Sequence, residues 1–343
     1  MVKLIILASV VFLFATLLTE IMRRYALAKE IVDIPNERSS HSVPTPRGGG
    51  VAIVATFLLG LVFLWNASLL NNNHFTAFLG AGLWVALIGF MDDHAHIAAR
   101  WRLLAHFIAA IWLVTWLGGA PSVVVLGADF DLGWVGHLLS IVILVWLLNL
   151  YNFMDGIDGI AGIEALTSTL VVGLLMMLIV DHEGAASLHI LMSAAAAGFL
   201  VWNFPPAKIF MGDAGSGFLG FMLGALALYS TNIAPQMLWV WCIVLGVFIV
   251  DATYTLFRRL LRGDKIYEAH RSHAYQYATR KYGSHMLVTL SVLAINLLWL
   301  TPWSLAVAFG VVDGIIAVVF SYIPLIWLAW YFHAGELERV DSE

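Results

Sequence analysis

The feature that most constrains this chain is the return, again and again, of apolar runs about 16 to 24 residues long, the length an α-helix needs to cross a bilayer. Transmembrane barrel strands would be shorter and would alternate in polarity, so the runs predict helices. Reading them between polar or Gly/Pro breaks gives spans near 3–22, 50–65, 75–91, 102–118, 134–150, 160–180, 188–202, 215–230, 237–257, 286–300 and 304–331. The expected fold is an all-α polytopic membrane protein of ten or eleven transmembrane helices forming one domain over 1–343. Composition agrees: 61% of the residues are hydrophobic and 11% charged, more apolar surface than a soluble core of this length hides. The first run has only Lys3 ahead of it and no small-residue cleavage site before Arg23 and Arg24, so it reads as a retained span and not a signal peptide. The single cysteine, Cys242, lies in an apolar run, which excludes an intrachain disulfide and a thiolate metal cluster.

The loops alternate between two sides of the expected bilayer, and sixteen of the seventeen Lys and Arg residues fall on one of them. The positive-inside rule makes that side cytoplasmic and leaves Lys3 outside. The longest opposite loop, GAPSVVVLGADFDLG, has turn residues between β-branched runs and predicts a small hairpin lid. Function must then reside in the membrane or in the cytoplasmic loops.

Carboxylates at a membrane boundary are costly to desolvate and need a reason to be there. Asp92 and Asp93 end the third span in GFMDDH, where adjacent like charges invite a cation. In NLYNFMDGIDGIAG, Asn149, Asn152, Asp155 and Asp158 recur every third residue, close enough to helical spacing to converge on one rim. A helix cap would need one such residue, not four. These are hard oxygen donors, suited to Mg2+ and a sugar nucleotide and not to zinc. In NFPPAKIFMGDAGSGFLG, Asn203, Lys208, Phe210 and Asp213 precede glycines that open the eighth span, where backbone N–H groups are offered to phosphate. Gly217 and Gly220 read equally as helix-packing positions. The basic loop after the ninth span holds Arg258, Arg259, Arg262, His270, Arg271 and His273. Its two arginines nearest the membrane suit anionic lipid, whereas His270, Arg271 and His273 form a phosphate-binding cluster without the third ligand zinc would want. The loop DIPNERSSHSVPTPRGGG adds Asp33, Arg38, His41 and Arg47 to the same face.

In chain order these motifs resemble the polyprenyl-phosphate N-acetylhexosamine-1-phosphate transferase superfamily, glycosyltransferase family 4, from about residue 33 to 285. The PTPRGGG loop, the paired Asp, N-x-x-N-x-x-D-G-x-D-G-x-A and N-x-x-P-A-K-x-F-M-G-D-x-G-S carry the likeness. The histidine loop reads AHRSHAYQ in place of the commoner H-x-H-H, a form similar to the branch that starts O-antigen with N-acetylated 6-deoxy sugars. The resemblance implies a UDP-sugar donor, undecaprenyl phosphate as acceptor, UMP as product and Mg2+ as cofactor, with Mn2+ able to substitute. It implies Asp213 as principal metal ligand with Asn152 beside it, and Asp155, Asn203 and Phe210 around the uridine. Asp92 and Asp93 are implied in handling the lipid phosphate and in catalysis, with Asp155 and Asp158 in the same catalytic rim. His270, His273 and Arg271 are implied in binding diphosphate, with Asn149, Lys208, His41 and Arg47 completing the substrate site; where some branches carry a lysine near His41, Arg38 or Arg47 takes its place. The expected setting is the bacterial inner membrane, with the lipid bilayer as partner, no nucleic acid, and a homodimer left open. The rival reading is a multispan secondary transporter, for which Asp251 and Asp313 would mark a midplane path.

Overall fold

A computed structural model of the chain describes residues 2–35, 43–95, 97–180, 183–264 and 270–337. His41, like Arg38, lies outside the described residues. The helices are α1 (Val2–Ala28), α2 (Val51–Asn66), α3 (Asn72–Ala95), α4 (Ala99–Trp116), α5 (Gly133–Met154), α6 (Ile160–Ile179), α7 (Glu183–Asn203) and α8 (Asp213–Ile233). They continue as α9 (Met237–Val244), α10 (Gly246–Arg262), α11 (Ala274–Tyr282), α12 (His285–Ile295), α13 (Thr301–Ala308) and α14 (Gly314–Tyr331). Among the described residues, eight spans are long and apolar enough to cross a membrane, and nine if α9 and α10, bent by 69° at Leu245, count as one. By the same measure α2, at 16 residues, is short, and α4 opens on Arg100 and Arg102.

Helix α8 is the axis of the bundle: α3 and α5 pack along it, and 89% of its span is buried. Small residues permit this. A Cβ on Gly220 would lie 2.5 Å from the Leu147 carbonyl oxygen of α5, so Gly220 is a packing position, whereas one on Gly217 would meet only ordinary contacts at 3.6 Å. At the N-terminus of α8, a Cβ on Gly50 would come within 2.4 Å of the Gly215 Cα. The glycine run 48–50 thereby lets the first loop lie against the start of α8, fixed by hydrogen bonds from Gly49 N to Phe210 O (2.9 Å) and Gly50 N to Met211 O (2.9 Å).

Polar backbone groups freed inside the bundle find specific partners, as a bilayer requires. At the α9–α10 break, the Tyr322 hydroxyl donates to the Cys242 carbonyl (2.6 Å), one of those without an intrahelical donor. Glu164, fully buried on α6, accepts from Asn296 Nδ2 (2.7 Å). Asn296 opens a π-helical turn, Asn296–Leu300, that carries α12 into α13. The wider turn accommodates Pro302, which lacks an N–H and crowds the carbonyl four residues back. The helical span therefore runs from His285 to Ala308, and the break expected between 300 and 304 lies instead at 309–313.

The described residues also form two short antiparallel pairs: β1 (Val32–Asp33) with β2 (Thr45–Pro46), and β3 (Val123–Val125) with β4 (Ala128–Phe130). The second is the expected hairpin, turning at Leu126 (φ +50°) and Gly127 (φ +77°), both positive as its two-residue turn demands. Trp239 of α9 donates its indole N–H to Val124 O (2.6 Å) and holds the hairpin at the end of the bundle opposite the polar loops.

Candidate active site

The segments that follow α1, α3, α5, α7 and α10 meet at one end of the bundle. At their centre is the start of α8. Asp213 is its first residue and is exposed; its charged neighbours are Asp93, Asp92, Arg102 and Arg47. The Asp93 carboxylate, arriving from α3, accepts from both the Asp213 N–H and the Ala214 N–H (3.2 Å each). The N–H groups that the glycine-rich sequence offers to phosphate are thus held by a carboxylate from another helix, a cap made across the fold. Asp92 beside it accepts from Ile97 N (2.8 Å) and pairs with Arg102, closing the α3–α4 turn. Arg47 donates to the Asp93 carbonyl (3.2 Å), which brings the first loop to the same point.

The Asn/Asp string splits by role. Asn152 turns its carbonyl to the Ser216 hydroxyl (2.9 Å) on the first turn of α8, one turn from Asp213. Asn149 donates back to its own helix at Val145 O (2.7 Å). Asp155 sits at the C-cap of α5, and its carboxyl is held well above the usual range by burial first and then by the charges of Asp213 and Asp158. Asp158 is a strut: one oxygen accepts from Ala207 N (2.9 Å), and the other lies 3.1 Å from His285 Nδ1. Asn203 is another, buried, accepting from Gly159 N (3.0 Å) and donating to Ile209 O (2.9 Å). Phe210 bonds through its backbone to Pro46 O (2.8 Å). Lys208 is exposed and lies over the Trp202 ring (5.3 Å), which it shares with Arg23 (5.2 Å), on the flank of the acidic centre.

The histidine arm lies against the same α5 loop. The Phe153 ring faces His270 (6.0 Å) and His273 (6.5 Å), whose own rings are 4.8 Å apart. The Nε2 atoms of both are buried and have no protein partner. Burial, with His273 and Arg259 nearby, pulls the His270 imidazole down to about 3. Arg271 is half-buried, and its carbonyl accepts from Arg280 (3.1 Å).

Several participants escaped the sequence reading: Ser216, Arg102, Phe153, Tyr275 and Asp251. Asp251 and Asp313, the charges that would suit a transporter, are both spent on helix caps, Asp251 at α11 and Asp313 at α14 through Ile315 N (3.0 Å). Among the described residues no three Asp, Glu, His or Cys side chains converge closely enough to form a closed metal cage. What the end of the bundle does present is an exposed carboxylate among other acids, cations at its edge, and two unpartnered imidazole nitrogens against the Phe153 ring of the α5 loop.

Known proteins share this arrangement of sequence. Residues 75–231 match glycosyl transferase family 4. A decaprenyl-phosphate N-acetylglucosaminephosphotransferase from Mycobacterium leprae is 30% identical over 342 residues, covering 90% of this chain and 82% of its own. A probable undecaprenyl-phosphate N-acetylglucosaminyl 1-phosphate transferase from Bacillus subtilis is 29% identical over 310 residues (87% and 84%). An undecaprenyl-phosphate alpha-N-acetylglucosaminyl 1-phosphate transferase from Salmonella typhi is 27% identical over 305 residues (84% and 80%). With near-full-length similarity and the acidic loops drawn to one end of a membrane bundle, the chain belongs to the polyprenyl-phosphate N-acetylhexosamine-1-phosphate transferase family, and is an enzyme.

Proposed function

We propose that the enzyme transfers N-acetylhexosamine 1-phosphate from a UDP-sugar to undecaprenyl phosphate, releasing UMP and starting a cell-envelope glycan such as O-antigen, at the cytoplasmic face of a bacterial inner membrane. The observation that carries this reading is the meeting of Asp213, Asp155 and Asn152 with the Asp93 cap and the unpartnered His270 and His273 nitrogens at the membrane boundary. In phosphoryl transfer the protein chiefly positions reactants and neutralises charge. A lipid phosphate and a nucleotide diphosphate sharing one site need cations on both sides of the phosphorus. Arg47 and Arg102 lie beside Asp213 on the α8 side, and Arg259 lies beside His270 in the histidine arm.

The donor set suits Mg2+: hard oxygens from Asp213 and Asn152, with crowded like charges that a cation relieves. Mg2+ keeps several waters and takes substrate oxygens, so one or two protein carboxylates suffice without a closed cage. Bound there, it would supply charge neutralisation to the diphosphate. The chain's own part is to hold Asp213 at the head of α8 through the Asp93 cap and to set Asn152 against Ser216. Asp155, at the C-cap of α5, has its carboxyl held above the usual range by burial and by the charges of Asp213 and Asp158. Asp158 and Asn203 brace the two loops that would enclose the uridine.

Eleven crossings are supported by the alternation of the chain between the two ends once α2, α4 and the bent α9–α10 pair are counted. The basic loops then share the cytoplasmic side with the site. The test is the purified protein in detergent with radiolabelled UDP-GlcNAc, UDP-GalNAc and their 6-deoxy counterparts, together with undecaprenyl phosphate. Label should enter the organic phase as UMP appears, stop with EDTA, and resume with Mg2+ or Mn2+. Absence of lipid-linked label from every donor would refute the reaction, and full rate after chelation would refute the metal.

A further inference from the structure

The histidine arm owes its shape to a residue that lies inside the membrane helix α10. Asp251 is buried, and it receives four groups: the Ala274 N–H (2.9 Å) and Thr255 hydroxyl (3.1 Å) on Oδ1, the Tyr275 N–H (3.0 Å) on Oδ2, and His273 Nδ1 at 3.3 Å from Oδ1. The two backbone donors belong to the first turn of α11, so one carboxylate caps that helix from a different helix. The same carboxylate faces the ring that begins it. A carboxylate can only accept, so the bond requires the proton on Nδ1 and leaves Nε2, buried and without a protein partner, as the atom presented to a ligand.

The reach of Asp251 continues through α11. Tyr275, whose N–H it holds, sends its hydroxyl to the Phe153 carbonyl (3.0 Å). A Cβ on Gly156 would lie 2.1 Å from that hydroxyl, so the tyrosine rests directly on the backbone between Asp155 and Asp158. The capping box of α11, in which Gln276 accepts from the His273 N–H (3.2 Å), locks the histidine backbone as well. One carboxylate thus registers His273 and the aspartate loop against each other.

We infer that Asp251 is a positioning residue for the transfer reaction: it fixes the tautomer and orientation of His273 and, through Tyr275, the distance between the histidine arm and the Asn152–Asp158 segment. This rests on the transferase reading above. Asp251 touches no substrate in this scheme; it acts through His273 and α11.

The test is a double-mutant cycle in purified, monodisperse protein, measuring kcat and KM for the UDP-sugar in the wild type, Asp251→Asn, His273→Gln and the double variant. Asn keeps the volume and one acceptor oxygen but turns an N–H toward another N–H. Asp251→Asn should lower kcat/KM on the order of tenfold to a hundredfold, the range for removing a carboxylate behind a metal-bound histidine. His273→Gln should lower it at least as far, and the double variant should be no worse than His273→Gln within about threefold, because neighbours that act as one unit are not additive. A loss in the double variant equal to the product of the single losses would overturn the inference, as would wild-type kinetics for Asp251→Asn. If Asp251→Asn does not purify as a folded protein, Asp251→Glu and histidine-selective 15N spectra of the wild type against His273→Gln decide. The His273 ring should show the Nδ1–H tautomer, and an Nε2–H tautomer would overturn the proposal. A wild type that labels no lipid from any donor would instead remove the transferase reading itself, leaving the tautomer measurement to judge the contact.

Discussion

Replacing Asp93 separates two roles that the paired aspartates could play. Its carboxylate accepts from two backbone N–H groups at the head of α8, each at 3.2 Å, the long end for such bonds. Losing an N-cap costs about 0.5–2 kcal/mol, and losing an anion at the positive end of the helix dipole about 0.3–1 kcal/mol. Relief of repulsion between Asp93 and Asp213 works the other way, but Asp213 is exposed and that term is screened. Asp93→Ala should therefore destabilise the protein by about 1 kcal/mol. Asn keeps one acceptor oxygen for one of the two N–H groups and turns an amide N–H toward the other, so Asp93→Asn should keep part of the cap and cost less than Asp93→Ala, by about 0.5 kcal/mol. The larger effect should be on rate, because Asp213 is the first residue of the helix being held, and a displacement of about 1 Å at a reacting centre can cost on the order of a hundredfold. The capping role predicts that Asp93→Ala loses at least that much while Asp93→Asn, with one of the two bonds left, loses clearly less. Detergent-solubilised protein followed by thermal unfolding, alongside the lipid-labelling assay, measures both quantities. Equal and near-complete inactivation by Asn and Ala, with both unfolding at the wild-type temperature, would refute the capping argument and make the charge of Asp93 the essential property.

Three further outcomes follow from other contacts. Glu164→Gln should leave stability unchanged or slightly raised, since an amide supplies a donor beside the unpartnered Asn296 Oδ1, whereas Glu164→Ala, which leaves Asn296 Nδ2 only its bond to Thr167 Oγ1, should cost about 1–3 kcal/mol; comparable losses for both would refute this. His270 is depressed to about 3 in the fold and titrates near 6.5 when unfolded, so the unfolded chain takes up the extra proton first. Its contribution to stability is present above pH 6.5 and is lost as pH falls toward 3, and His270→Gln should flatten the unfolding temperature across that window; an unchanged slope would show that another group sets it. Cysteines placed in loops 92–102, 149–160, 203–214 and 258–285 of a Cys242→Ala background should be shielded from an impermeant thiol reagent outside intact cells, and labelling at any of them would overturn the proposed sidedness.

The helical membrane fold and the family were legible because they depend on local properties: run length, charge asymmetry between loops, and Asn/Asp spacing every third residue. Run length and spacing are visible in a window of about twenty residues, and the charge asymmetry needs only a count of Lys and Arg loop by loop. What was not legible is which polar side chains would be spent on the fold itself. Asn203 and Asp158 look like ligands in sequence and brace loops in the structure, because their partners, Gly159 and Ala207, are 44 and 49 residues away in the chain. Asp251 looks like an isolated membrane charge until α11 folds back against α10, bringing donors 23 and 24 residues further along onto it. Caps made between distant helices leave no spacing signature. The continuous helix through Pro302 was hidden for a related reason: proline reads as a break unless a π turn precedes it, and that turn depends on Asn296 meeting Glu164 across the bundle.

The cross-bracing of residues 155–159 and 203–213 also bears on how such enzymes can be recombined. Asn203 spends its oxygen on one loop and its nitrogen on the other, and Asp158 returns the bond through Ala207 N. A parent that contributes only one of these stretches to a hybrid would have to match both bonds from a foreign backbone. Otherwise it leaves a buried amide or N–H stranded, at a cost of about 1–3 kcal/mol each. The workable crossover points therefore lie within α6 or α7 only when both loops travel together with the start of α12, which carries His285 and Thr289 onto Asp158. In hybrids of two relatives, these three stretches should be inherited as a block.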